Sequence, residues 1–198
     1  MLENGIVLIN TLNRFRNENR YGLEIGDRGE GTQKTNMRGK PIDLTNEKTI
    51  PPSIKRNILE GRSKGKGKLT IFGHINESIQ DCYVYSMSKS NKHLKEWYAI
   101  AKYDAIVEIT NLTAFIEALT KCINQINPSV KTCSFQPIEY IDRREQEFEQ
   151  QTETHPIFVK ENRHSWQEEF RLVWDVGGKE IDRIKMNCPK IKNLIRLI

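Results

Sequence analysis

The alternation of apolar and polar residues is clearest in the second half of the chain, where "EEFRLVWDV" (168–176), "DAIVEIT" (104–110), "PIFVK" (156–160) and "VKTCSFQPIEYI" (130–141) read as strands. "KLTIFGHI" (68–75) and "DCYVYSMS" (81–88) predict two more. "KEIDRIKMN" (179–187) follows the 168–176 run through Gly177 and Gly178, the signature of a tight hairpin, and "PKIKNLIRLI" predicts a last strand. The period changes to 3.6 over "NLTAFIEALTKCINQI" (111–126), where Leu112, Phe115, Ile116, Leu119 and Ile123 share one face. Asn111 is placed to cap this helix and Pro128 to stop it. "HLKEWYAIA" (93–101) fits a helical turn or a short strand, and "GIVLINTLNRFR" an apolar start running into a helix or turn.

Two stretches lack a period. From Tyr21 to about Lys68 the chain is rich in Gly, Lys, Thr and Asn and holds Pro51-Pro52, which predicts a long irregular region of the kind that carries function or motion. "DRREQEFEQQTETH" (142–155) reads as a polar connector. With no internal repeat and no second boundary, residues 1–198 are expected to form a single domain. The expected class is α+β: a mixed or antiparallel β-sheet core with few helices and a long irregular N-terminal region.

Composition narrows the classes further. At 198 residues and 37% apolar content the chain is long and apolar enough to bury a core. It contains no run of roughly 18 apolar residues and so predicts no membrane span. "MLENGIVLINTLNRFR" has Glu3 where a secretory leader needs basic residues, so a cytoplasmic location is expected. Cys82, Cys122, Cys133 and Cys188 stand far apart, without a CxxC pair or a histidine at zinc spacing. They read as reduced, half-buried thiols. The histidines at 74, 93, 155 and 164 fall singly, so no metal site is expected.

The net charge of +5 is concentrated at the N-terminal side. Between Arg14 and Lys68 the basic residues outnumber the acidic ones about two to one, a field that attracts anions such as a dinucleotide, RNA or DNA. A solvated basic face that aids solubility is the plainer reading of the same charge. "GRSKGKGK" (61–68) reads as a flexible basic loop without the spacing of a phosphate-binding P-loop.

The strand beginning near 168 opens with Gln167, Glu168 and Glu169. Alternation along an extended strand sends Gln167 and Glu169 to one side and Glu168 to the other. A carboxylate so placed can bind a ribose hydroxyl and stabilise a cationic sugar while its neighbour orients an attacking group. Similar tripeptides at Glu145–Glu147 and Glu147–Glu149 lie in the polar connector, where a solvated surface is the expected role.

The 167–169 tripeptide resembles the Gln/Glu-x-Glu motif of ADP-ribosyltransferases. Their R-S-E class carries an early Arg, a Ser-x-Ser ending a middle strand and the Gln/Glu-x-Glu before a late strand. "CYVYSMSKS" supplies Ser86 and Ser88 in that order, and Arg14, Arg16 and Arg28 are the candidate arginines. A planar guanidinium suits bidentate binding of a pyrophosphate. "TLNRFRNENRYGLEIGDRGEGT" (11–32) and "FVKENRHSWQEEFRLVW" are also similar to the opening and closing segments of bacterial proteins linked to abortive phage infection.

These resemblances imply an ADP-ribosyltransferase fold, NAD as the donor and a toxin that works in phage defence or a toxin–antitoxin pair with a neutralising protein. Arg14 or Arg28 is implied to hold the phosphates, Ser86 and Ser88 to brace the nicotinamide ribose and Glu169, and Glu169 to hold the ribose 2′-hydroxyl. Gln167 is implied to position the acceptor. Gln in place of the first Glu, together with the basic N-terminal half, favours a nucleic-acid or non-arginine acceptor. Tyr83, Tyr85, Trp97 and Trp166 are candidates to stack on nicotinamide or a base.

Each piece also has a structural reading. Ser86 and Ser88 are placed to bond the local backbone, Glu169 and Arg171 share a strand face that suits a ladder of ion pairs, and Asp27 is placed to cap a Gly-supported turn. Two other functions stay open: a nucleic-acid or partner-binding protein using the basic segment 28–68, and a metal-dependent nuclease using Asp27, Glu30 and Glu169.

Overall fold

The computed structural model describes residues 4–17, 19, 27, 29–39, 41–55, 67–101, 105–130, 133–142, 146–147, 152–177 and 181–198. It is a mixed α/β structure of mainly antiparallel sheets with few helices. In chain order the elements are β1 (Ile6–Thr11), α1 (Leu12–Phe15), β2 (Thr32–Asn36), β3 (Pro41–Asp43), α2 (Pro52–Ile54), β4 (Lys68–Thr70), β5 (His74–Ser78) and β6 (Tyr83–Ser88). There follow α3 (Leu94–Ala101), β7 (Val107–Ile109), α4 (Leu112–Ile126), β8 (Cys133–Pro137), β9 (Glu139–Ile141) and β10 (Gln146–Glu147). The chain ends with β11 (Val159–Glu161), β12 (Glu169–Trp174), β13 (Ile184–Asn187) and β14 (Ile195–Leu197).

Contacts divide the chain into two compact units, the first comprising Met1–Arg28, Gln80–Ile138 and His164–Ile198, the second Gly29–Ile79 and Glu139–Arg163. The first is built on a five-stranded antiparallel sheet in the order β13-β1-β6-β12-β8. Its two faces differ because strand side chains alternate. Val7 and Ile9 join Tyr83, Leu172, Trp174 and Met186 on one face, which α4 covers with Phe115, Ile116, Leu119 and Ile123. The helix is capped as its sequence predicts, with the Asn111 carboxamide oxygen accepting from the Ala114 amide at 3.0 Å. At the helix's far side the Trp174 indole N–H donates to Thr120 Oγ1 at 2.9 Å, so the buried indole keeps its hydrogen bond.

The second unit holds the β10-β2-β5 sheet, the parallel pair β11-β9 and the antiparallel pair β3-β4. Met37, Ile42, Ile50 and Ile54 form its apolar cluster. The stretch from 21 to 68 is therefore ordered where it is described, in strands of five and three residues. β2 gave no alternating signal because the side chains it buries are Gln33 and Thr35. Residues 61–66 of the basic loop lie outside the described residues.

Several strands differ from their sequence reading for identifiable reasons. β13 pairs with β1 and not with β12, so the expected hairpin is absent: Met186 and Ile184 complete the apolar row of Val7 and Ile9. The 130–141 run divides at Ile138, whose amide still donates to the Glu169 carbonyl at 2.9 Å, because β9 after it pairs with β11 and not with β12. The 68–75 run breaks at Gly73, whose φ of 101° is outside strand geometry. Pro156 and Pro189 each open a 3₁₀ turn, over Pro156–Phe158 and Pro189–Leu194, so the strands expected there shorten to β11 and β14. In the polar connector, Gln146 and Glu147 pair with Thr35 and Asn36 as β10. The 93–101 segment takes the helical alternative, as α3.

Asn111→Ala removes the cap of α4 and should lower stability by about 1 kcal/mol, read as a lower urea midpoint with an unchanged slope.

Candidate functional site

The face of the five-stranded sheet opposite α4 is polar at its centre. Register pairs Arg171 with Ser86 and with Gln136, and Glu169 with Ser88, so these side chains share that face. Ser86 Oγ donates to Glu169 Oε1 at 2.5 Å. The Arg171 Nε and Nη2 groups donate to the same oxygen at 2.8 and 2.7 Å. Three donors thus converge on one carboxylate oxygen, two of them charged. Glu169 and Arg171 are 4% and 2% exposed, whereas Ser86 is exposed, so the carboxylate lies beneath an accessible hydroxyl. Such a pair holds its charge only while both partners remain, because desolvation penalises either one alone.

The tripeptide at the entrance to β12 is not extended throughout. Asn162–Gln167 is a 3₁₀ turn, Glu168 has a φ of 43°, and the strand starts at Glu169. Alternation therefore does not set the directions of these side chains. The left-handed residue does so instead, with Gln167 buried at 2% exposure and Glu168 turned partly outward. The Glu168 backbone oxygen accepts from the Lys89 amide at 2.9 Å, and its carboxylate accepts from Ser90 Oγ and lies 3.7 Å from Lys92 Nζ. The Ser90 hydroxyl holds the Glu168 carboxyl below the usual glutamate range; burial opposes it, and Lys92, His93 and Lys89 add smaller lowering effects.

The two serines behave differently. Ser86 meets Glu169, whereas Ser88 turns to its own backbone, donating to the Ser90 carbonyl at 2.9 Å and accepting from the Ser90 amide at 3.4 Å. Tyr85 faces the other side, in register with Leu172 and 5.8 Å from the Phe115 ring, and burial pushes its hydroxyl up to about 12. Tyr83 belongs to the same apolar core. Trp97 and Trp166 meet with ring centroids 4.8 Å apart and planes tilted by 53°, both half-buried.

Arg14 and Arg16 do not join this cluster. Thr11 is level with Tyr83, so Arg14 in α1 sits at the opposite end of β6 from Ser88, about 17 Å of strand away. There Arg14 Nη1 lies 3.3 Å from Asp182 and its Nε is buried without a partner, beside a cleft of about 370 Å³ also lined by Asp81. Arg16 Nη1 donates to Asn13. Arg28 lies outside the described residues. Asp27 belongs to the first unit and Glu30 to the second, where Glu30 lies 3.9 Å from Lys160 with both buried. Among the described residues no group of three or more His, Cys, Asp or Glu is placed to hold a metal ion, and no helix is long and apolar enough to cross a membrane.

Three further polar residues of the first unit had no distinct signal in the sequence. Asn10, in register with Val84 on the polar face, has a buried Oδ1 with no hydrogen-bond partner. Gln136 is brought beside Arg171 by β8, a pairing that only the sheet order defines. His164 is 1% exposed and three residues before Gln167, a spacing that a 3₁₀ turn places on one side. Comparison with protein-family models, with curated proteins and with solved structures finds no match.

Removing Arg171 takes the cationic partner from a buried carboxylate. Arg171→Ala should therefore cost about 3–5 kcal/mol in denaturant unfolding, and a loss below 1 kcal/mol would show that the pair is not buried in solution. Ser90→Ala should raise the Glu168 pKa toward the ordinary glutamate value in a carboxyl NMR titration. Because the folded pKa is depressed, this contact contributes stability above the unfolded pKa and loses it as pH falls through the folded value.

Proposed function

We propose that the protein is an NAD-dependent ADP-ribosyltransferase that modifies nucleic acid, RNA or DNA, as a toxin of phage defence or a toxin–antitoxin pair. The observation that carries this reading is the convergence of Ser86 Oγ and Arg171 on Glu169 Oε1 at the mouth of β12, directly after Gln167. A carboxylate fixed in this way accepts hydrogen bonds from a ribose without having to reorganise. The exposed Ser86 hydroxyl beside Glu169 supports placing the ribose end of NAD on this face.

NAD supplies the ADP-ribosyl group, whose bond to nicotinamide breaks as the acceptor's nucleophile bonds to the same ribose carbon. Glu169 holds the ribose 2′-hydroxyl and opposes the positive charge that develops on the sugar. Ser86 braces Glu169, and the Arg171 guanidinium holds it in place. Gln167, as an amide, orients an acceptor without removing a proton from it. Trp97 and Trp166 are half-buried aromatics of the kind on which bases stack, and Lys89, Lys92 and Lys95 lie in the segment leading to Trp97. Pyrophosphate binding falls to Arg28 or to Arg14, the latter at the other end of the sheet.

Labelled NAD incubated with purified protein and, separately, RNA, DNA and cellular protein tests the reading. Label should move to nucleic acid and fall by about a hundredfold or more with Glu169→Gln or Ser86→Ala, each variant confirmed as folded by circular dichroism. No transfer and no nicotinamide release in any pool would refute it. Magnesium-dependent cleavage of nucleic acid without NAD would select the nuclease instead.

A further inference from the structure

The four cysteines are free, but two of them meet. Cys122, in the second half of α4, donates its thiol to Cys188 Sγ at 2.7 Å, although 66 residues separate them. Cys188 is fully buried, and three contacts set its place. Its amide donates to the Gly5 carbonyl at 2.7 Å, its thiol donates to the Ala118 carbonyl of α4 at 3.4 Å, and Pro189 after it opens the 3₁₀ turn that packs on α4. Ala118 and Cys122 are four residues apart, so they lie one helical turn from each other on a single face, directed at the same sulfur.

Gly5 makes the approach possible. With a φ of 73° it can adopt a conformation most residues avoid, and a side chain there would meet the Cys188 carbonyl oxygen at 3.1 Å. The two sulfurs are already closer than ordinary non-bonded neighbours, and bond formation requires their separation to fall to about 2.05 Å. Cys122 is half-buried and so reachable from solvent. Burial, and then the neighbouring Cys122, push the Cys188 thiol up to about 12, so Cys122 is the thiol that meets an oxidant first.

We propose that Cys122 and Cys188 are a reversible disulfide site that closes when the protein meets a small-molecule disulfide such as oxidised glutathione. Cys122 Sγ, as thiolate, attacks one glutathione sulfur, forms a mixed disulfide and expels the first glutathione thiolate. Cys188 then loses its proton to solvent and attacks Cys122 Sγ, forming the internal bond and expelling the second. The protein gives up two electrons and two protons, and one glutathione disulfide becomes two thiols. The new bond ties α4 to the segment that follows β13 and closes a long loop of chain, which restricts the unfolded ensemble.

The test exposes the full-length protein to oxidised glutathione at mildly alkaline pH, quenches it with acid, alkylates the remaining thiols and maps the peptides by mass spectrometry. A peptide pair joining Cys122 to Cys188 and lighter by two hydrogens, reversed by dithiothreitol, is the expected result. The oxidised form should also melt several degrees higher. Cys82→Ser and Cys133→Ser should leave the bond intact. Cys122→Ser, at the half-buried position, should remain folded and lose both the bond and the rise in melting temperature. Full alkylation of Cys122 after oxidation, glutathione retained on Cys122 without resolution, or a bond to a different cysteine would each overturn the proposal.

Discussion

A β-strand cannot bury one face without committing the other, and in β12 both faces are spent. Leu172 and Trp174 sit in the core beneath α4, and the same alternation sends Glu169 and Arg171 to the opposite face, where they too lose contact with water. A lone buried ion would be expelled or neutralised, so each charge must carry its partner with it. The Arg171 fork and the Ser86 hydroxyl meet that need at a single oxygen. Because Ser86 comes from the central strand β6, this arrangement also depends on the register that aligns Trp174 with Tyr83. Slipping β12 by one residue would bury Phe170 and Leu172 among polar groups and send both charges into the apolar core.

The entrance to β12 shows how such a strand is begun. Glu168 occupies a left-handed conformation that costs a non-glycine residue on the order of 1 kcal/mol or more. Three contacts hold it there: the Lys89 amide, the Ser90 hydroxyl and Lys92. The consequence is a change in chain direction between Gln167 and Glu169. Gln167 ends a 3₁₀ turn and is buried there, Glu168 points partly outward, and Glu169 enters the sheet. A run of three polar side chains at the mouth of a core strand thus resolves into three separate environments within three residues.

The polar face and the apolar face carry separate features: the candidate site lies on one, and the Cys122–Cys188 contact lies with α4 on the other. Tyr85 marks the division: it stands between Ser86 and Val84 in the strand yet belongs to the ring cluster with Phe115.

Local pattern was enough to specify α4 with its Asn111 cap, the β12 and β6 strands, and the shared face of Glu169 and Arg171, because these depend only on periods of 3.6 and two and on neighbours a few residues away. The Ser86 and Glu169 pairing was anticipated from motif order, while Arg14 was not brought to it, since its place depends on which end of β1 leads into α1. The sequence had no means to specify that β13 lies beside β1 and not beside β12, that short polar strands assemble around Met37, Ile42, Ile50 and Ile54, or that Cys122 reaches Cys188. Those features are decided by long-range packing of one apolar row against another, an energy that belongs to the pair of surfaces and is written in neither segment alone.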